Sequence, residues 1–186
     1  LRDVILTHSV SKDIFFTVSQ KKDAEFIEKY IYYVNLYTHK ILEILDKKDL
    51  RTRFGSLGLL GNIGLLILLK NYPRKFALYL SDLQEAHHLN YQTLENKHFQ
   101  FSHAILGGYF LNWWNLPHCI VEAVTAHYPM NFDEKDISEP SLILHLADVL
   151  VWKKLGYLQS YELRDTIFTK LNVNRTIFFD VISDFE

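Results

Sequence analysis

The 186-residue sequence is short of the residues that punctuate β structure. It has 7 glycines and 4 prolines, about half the usual globular share and too few turn formers for a many-stranded sandwich or barrel. A single cysteine, Cys119, forms no internal disulfide and points away from a secreted, disulfide-stapled scaffold toward a reducing cytoplasm. Charge of one sign is missing as well: 20 Lys and Arg against 22 Asp and Glu leave a net charge of -2. That balance excludes a generally basic nucleic-acid binder. With 48% hydrophobic residues it also excludes intrinsic disorder, which needs low hydrophobicity and high net charge. The longest apolar run, Phe54 to Leu69, contains Ser56 and Asn62 and is shorter than the 18 or so residues that a membrane span needs, so it reads as a buried core helix. Leu1-Arg2-Asp3-Val4 lacks the basic and then apolar pattern of a signal peptide. The missing initiator Met predicts that more chain lies upstream.

What is present is helical periodicity. From Asp23 to Lys48 the residues Phe26, Ile27, Tyr30, Ile31, Val34, Tyr37, Ile41, Leu42 and Leu45 recur at steps of three and four, which predicts one long amphipathic helix. Gly55, Gly58, Gly61 and Gly64 recur every third residue in the apolar run from Phe54 to Lys70, so neighbouring helices can approach closely there. Ser81-Asp82-Leu83-Gln84 fits a capping box and predicts a short helix through His88. Ser102 predicts the cap of a helix through Trp114. Pro117 starts the next helix, which ends near His127. Tyr128 to Glu139 reads as the longest loop and a candidate flap. Pro140 opens a helix through Lys154 with Gly156 at its C-terminal cap, and two shorter helices near Tyr161 to Leu171 and Arg175 to Phe185 finish an all-α chain.

Nine histidines raise the question of acid–base or metal chemistry. His145 and Asp148 lie three apart on one predicted helix and share a face, where they meet a metal or pair with each other. His103, in a first helical turn, and His127, in a last turn, come near each other if their helices pack antiparallel, either as a site or as two interfacial histidines. His87, His88 and His98 read as a solvated surface, and Cys119 as a small core residue. Tyr30, Tyr32, Tyr33 and Tyr37 with Trp113 and Trp114 form either core or a stacking platform for nucleotides. No Walker-type phosphate loop and no serine nucleophile elbow is present.

Taken in order, several segments resemble the HDOD family, the HD-related output domain of bacterial signalling proteins. They are Gly58-Leu59-Leu60-Gly61-Asn62-Ile63-Gly64, Phe99-Gln100-Phe101-Ser102-His103-Ala104 with Gly107, Trp114-Asn115-Leu116-Pro117, Ala123-Val124-Thr125-Ala126-His127-Tyr128-Pro129 and Leu146-Ala147-Asp148. The resemblance runs from about Tyr30 to Trp152. It implies a single HD-superfamily-like helical bundle over residues 1–186, with the N-terminal part of the family module missing. The wider HD superfamily contains metal-dependent phosphohydrolases, and carried over by position His39, His103, His127 and Asp148 match its outer ligands.

The central His-Asp pair of those enzymes is replaced by Gly61-Asn62, and Leu65 stands where many of the cyclic-dinucleotide phosphodiesterases have a lysine. Glycine offers no ligand, and a neutral amide does not replace a carboxylate that balances a divalent cation. The resemblance therefore implies a non-catalytic regulatory module of the bacterial cytoplasm, without cofactor, that touches a signalling partner or a fused regulatory domain. It implies no nucleic-acid or membrane partner and leaves a homo-oligomer open. The alternatives are a residual metal-dependent phosphohydrolase holding one divalent metal through His39, His103, His127 and Asp148, and a nucleotide-sensing pocket.

Overall fold

The periodic apolar positions Ile27, Tyr30, Ile31, Val34, Tyr37, Ile41 and Leu42 are buried along one face of α1 (Lys21–Ile44). The computed structural model describes residues 17, 20–85, 91–128, 137–157 and 163–183. The first helix is shorter than its periodicity predicts. Asp46 takes a positive φ of 48°, and the Lys47 N–H turns back to the Leu42 carbonyl at 3.2 Å, a left-handed C-terminal cap. Lys48 therefore begins a separate helix, α2 (Lys48–Phe54).

The apolar run that follows is also divided, into α3 (Leu57–Leu60) and α4 (Ile63–Asn71), with Asn62 out of helical conformation between them. Close approach explains the glycines here. A Cβ at Gly58 would meet the α1 backbone at Asn35, and one at Gly64 would run into the His103 carbonyl.

The capping box at Ser81 does not start a helix. α5 spans Pro73–Glu85 and passes straight through Ser81, because Phe76, Tyr79, Leu80 and Leu83 continue one buried face across it. Pro73 supplies the start instead, with its fixed φ and absent N–H at a first helical position. α6 (Tyr91–Phe99) follows, burying Tyr91, Leu94, Glu95 and Phe99; His87 and His88 lie outside the described residues.

The next boundaries agree with the local signals. Ser102 caps α7 (His103–Trp113) by accepting from the Ile105 N–H at 3.2 Å. α8 (His118–Ala126) follows Pro117. α9 (Glu139–Lys154) carries Pro140 in its first turn, and Gly156 sits past its end at φ 82°. Of the predicted loop, 129–136 lies outside the described residues. α10 (Asp165–Lys170) is shorter than predicted, and α11 spans Arg175–Ser183 with the rest of its predicted range outside the described residues.

All described elements are helices. α1 runs through the middle of the bundle with α9 beside it; α3 wedges against α1, α8 and α9, and α4 lies on α7, which pairs with α8. α9 is buried from Pro140 to Asp148, so whatever it carries faces protein on every side. No single described helix is long and apolar enough to cross a membrane; α2 and the stretch Leu57–Asn71 pass that test only together, bent by 42°, and α4 is buried from Ile63 to Leu69.

Candidate functional site

Asp148 sits at the centre of a closed polar cluster, with no exposed surface of its own. It projects from α9 against the middle of α1, where the Tyr30 hydroxyl donates to Oδ1 at 2.8 Å. Tyr30 is held in place by its ring, which stacks on Trp152 one turn along α9 with centroids 4.3 Å apart. The Asn62 amide, brought in by the break between α3 and α4, donates to the same Oδ1 at 2.7 Å. His127 closes the third side, its Nε2 3.1 Å from Oδ2, at ion-pair distance but without the alignment of a hydrogen bond.

The ring of His127 is oriented by its other nitrogen. Nδ1 makes a short contact with the Val124 carbonyl; a carbonyl only accepts, so Nδ1 carries a proton. Nε2, on the other side of the ring, faces the Asp148 carboxylate. Burial pushes the Asp148 carboxyl up, but His127, the charge of His103 and the Tyr30 hydroxyl outweigh it and hold the group below the usual carboxylate range. The same burial and the Asp148 charge push the Tyr30 phenol well above its ordinary value, so it stays a donor.

A second buried pair adjoins the first. His103 Nδ1 donates to Glu95 Oε1 at 2.6 Å, and the His103 backbone N–H donates to Oε2 at 2.8 Å. The Glu95 carboxylate thus caps the first turn of α7, where the helix dipole favours negative charge. Tyr79 adds its hydroxyl to Oε1 at 3.3 Å. The His103 and His127 rings stand 5.4 Å apart, and the Tyr128 ring lies between them and His145. His145 donates from Nδ1 to the His127 carbonyl at 3.1 Å, and burial lowers its pKa to about 4, so it is neutral at pH 7.

The structure thus brings His103, His127, Asp148 and Asn62 together and places Gly61 beside them against the Leu144 side chain. It does not add His39, which is half-buried on α1 and makes no hydrogen bond or ion pair among the described residues; Tyr30 occupies the α1 side of Asp148 instead. His145 and Asp148 share a face but do not bond to each other. His145 reaches the His127 backbone, and only its charge state feels Asp148.

The tyrosine and tryptophan platform is not assembled: Tyr30 and Tyr37 are core, whereas Tyr32, Trp113 and Trp114 are exposed. His98 is not simply solvated, since its Nε2 lies 2.9 Å from Asp82 Oδ2, which Lys97 also contacts. Cys119 is partly buried and borders a shallow cleft of about 250 Å³ with Leu50, Arg53 and Phe54 of α2. Sequence reasoning missed Glu95 altogether, and took Tyr30 only as a ring.

These residues do not fit the metal that the superfamily resemblance brings to mind. Both donors to Asp148 Oδ1 are already hydrogen-bonded there, and Asn62 presents N–H where a ligand needs a lone pair. Gly61 presents nothing. His103 Nε2, His127 Nε2 and Asp148 Oδ2 lack hydrogen-bond partners, but among the described residues no three His, Cys, Asp or Glu side chains converge closely enough to hold an ion.

Comparison with known proteins gives a consistent picture. The HDOD domain family model matches residues 1–130, so the matched span begins earlier than Tyr30 and stops before α9. No curated protein matches the chain. Two solved structures share its fold. One, a candidate signal transduction protein from Marinobacter aquaeolei VT8, superposes with a TM-score of 0.67 at 17% identity over 83% of this chain and 36% of its own. The other is the MmoQ response regulator from Methylococcus capsulatus str. Bath, with a TM-score of 0.56 at 17% identity over 82% of this chain and 58% of its own. The chain thus spans less than two thirds of either neighbour.

Proposed function

The chain belongs to the HDOD family, and from that premise we propose that it is a non-catalytic regulatory module of bacterial cytoplasmic signalling that works through protein contact. The observation that carries this reading is the occupation of Asp148. A carboxylate that would bind and charge-balance a metal is instead engaged at Oδ1 by the Tyr30 and Asn62 donors and faced at Oδ2 by His127, in a cluster whose side chains are fully buried. Among the described residues, the side chains of the cluster reach no solvent from which a substrate phosphate could arrive. The signalling role is supported by the family and by the two structural neighbours. The partner is a signalling protein or a regulatory domain joined to this one.

The test is turnover. The chain is incubated with Mg²⁺, Mn²⁺, Fe²⁺ or Zn²⁺ and with nucleotide and cyclic-dinucleotide phosphoesters, beside an Asp148→Ala control. The reading expects no hydrolysis above the control with any metal. Metal-stimulated hydrolysis that the control loses would establish the phosphohydrolase instead. Restoring the enzyme pair is a less simple comparison than the sequence suggests, because a side chain at Gly61 collides with Leu144. A Gly61→His, Asn62→Asp variant therefore needs Leu144→Ala beside it.

A further inference from the structure

α7 buries one face and leaves the other bare. Ala104, Gly107, Gly108 and Leu111 face the bundle, and the two glycines let α4 and α8 close in. On the opposite side Ile105, Tyr109 and Trp113 follow one another at four-residue steps, so they form one stripe. They are 58%, 69% and 68% exposed, and Trp114, at the end of the helix and 39% exposed, borders the stripe through Phe110. The only ionisable side chains on α7 are His103, which is buried against Glu95, and Tyr109 itself. Adjoining aromatic contacts, Tyr109 with Phe110 and Phe110 with Trp113 and Trp114, fix the rings in a continuous surface. A contiguous apolar patch of this kind marks an interaction surface.

We propose that a second copy of this chain covers it, with α7 lying antiparallel on its counterpart about a two-fold axis beside Tyr109. Three observations favour a copy over an unlike partner. The stripe carries no formal charge, so two identical faces meet without like-charge repulsion, and there is no charge pattern by which to select a different protein. The side chains grade from Ile105 at one end to Trp113 at the other, so a two-fold sets the large ring of each copy on the smaller side chain of the other. The area also suffices. A Tyr or Trp supplies 150–250 Å² when fully buried, so the stripe with Trp114 offers on the order of 500 Å² per copy, or about 1,000 Å² for the pair, the lower bound of a specific interface. A two-fold contact closes on itself, so the assembly stops at two. The proposal rests on this surface and not on the state of the buried cluster.

Sedimentation of the 186-residue chain from low to high micromolar concentration should show a reversible monomer–dimer equilibrium. Tyr109→Glu and Trp113→Glu should each weaken it at least about tenfold, a loss of about 1.4 kcal/mol, with far-UV circular dichroism unchanged and the melting temperature unchanged at concentrations where the natural chain is monomeric. Ile177→Glu, at an exposed apolar position on α11, should leave it intact. In a Cys119→Ser background, Tyr109→Cys should couple to its own copy through a short bis-maleimide faster than Ile177→Cys, because only a residue at the axis faces itself. A monomer throughout that range would overturn the proposal. A dimer indifferent to both α7 substitutions, or equal coupling at the two positions, would overturn it too.

Discussion

Replacing Asn62 with Asp changes one atom type at the most crowded point of the buried cluster. In the natural chain the amide nitrogen donates to Asp148 Oδ1 at 2.7 Å, and both residues are fully buried. In Asn62→Asp an oxygen takes that place, and two carboxylates in contact in a dry interior cannot both stay charged. The folded variant therefore holds one proton between them, while the unfolded chain releases it near the ordinary aspartate value of about 3.9. The sign follows. A carboxyl whose folded pKa is raised contributes fully below its unfolded value and loses that contribution as pH rises toward the folded one, by about 1.4 kcal/mol per pH unit. The variant should lie about 1.5 kcal/mol below the natural chain at pH 5, about one unit above the unfolded value, and about 3–5 kcal/mol below it at pH 7.5, the cost of keeping that proton in the fold.

Urea denaturation followed by circular dichroism at the two pH values measures this directly. Asn62→Leu is the control: it removes the donor without adding an acid, so it should cost about 1.5–3 kcal/mol, the worth of a hydrogen bond to a charged group, at both pH values. The reasoning fails if Asn62→Asp is as stable as the natural chain at pH 7.5, or if its loss is the same at pH 5 as at pH 7.5. Either result would mean that Asp148 has room or solvent enough to tolerate a second charge.

Three further perturbations probe the same cluster. Tyr30→Phe keeps the ring on Trp152 and deletes only the donor to Asp148, so it should cost about 1.5–3 kcal/mol in the same denaturation assay, with near-UV circular dichroism unchanged. His145, neutral in the fold with a pKa of about 4 against the ordinary 6.5, stabilises the fold above pH 6.5. That contribution is lost as pH falls from 6.5 to 4, in all about 3 kcal/mol, and His145→Gln should flatten the stability profile across that window. Gly64→Ala should cost about 3 kcal/mol or more, the upper end of overpacking, because the added methyl meets a backbone carbonyl of α7 rather than a side chain that can swing away; thermal melting checks it.

The parts of the fold that could be read from the sequence were those decided locally. α1 announces itself by periodicity, α7 by the Ser102 cap, α8 by Pro117, and α9 by Pro140 and Gly156; each is a statement about the chain's own backbone. Where local signals compete, packing decides. Ser81 can cap a helix, but the buried face from Phe76 to Leu83 is worth more than one capping bond, and α5 runs through it. Glu95 is the clearest case of an illegible residue. In the sequence it stands among Asn96, Lys97 and His98 and looks solvated. Only the meeting of α6 with the first turn of α7 buries it against His103, and that meeting is made by residues distant in sequence. His39 shows the reverse error, since a position matched by resemblance is half-exposed while Tyr30, nine residues earlier on α1, supplies the contact. A tyrosine on a buried stripe does carry a signal, because its hydroxyl must find a partner once the ring is inside.

The polar residues of the cluster have a structural role. Asp148 joins α9 to α1 through Tyr30, to the α3–α4 junction through Asn62 and to the end of α8 through His127, while His145 returns from α9 to the His127 backbone and Glu95 pins α6 to α7. Hydrogen bonds and close polar contacts tie these helices together. Buried pairs add little net stability compared with apolar residues of equal volume, yet removing one partner costs several kcal/mol. The cluster therefore fixes which arrangement of helices is stable more than how stable it is. A bundle held in one arrangement from inside has only its surface with which to communicate, and the uncharged aromatic face of α7, attached through His103 to that same cluster, is the part of the surface best placed to do it.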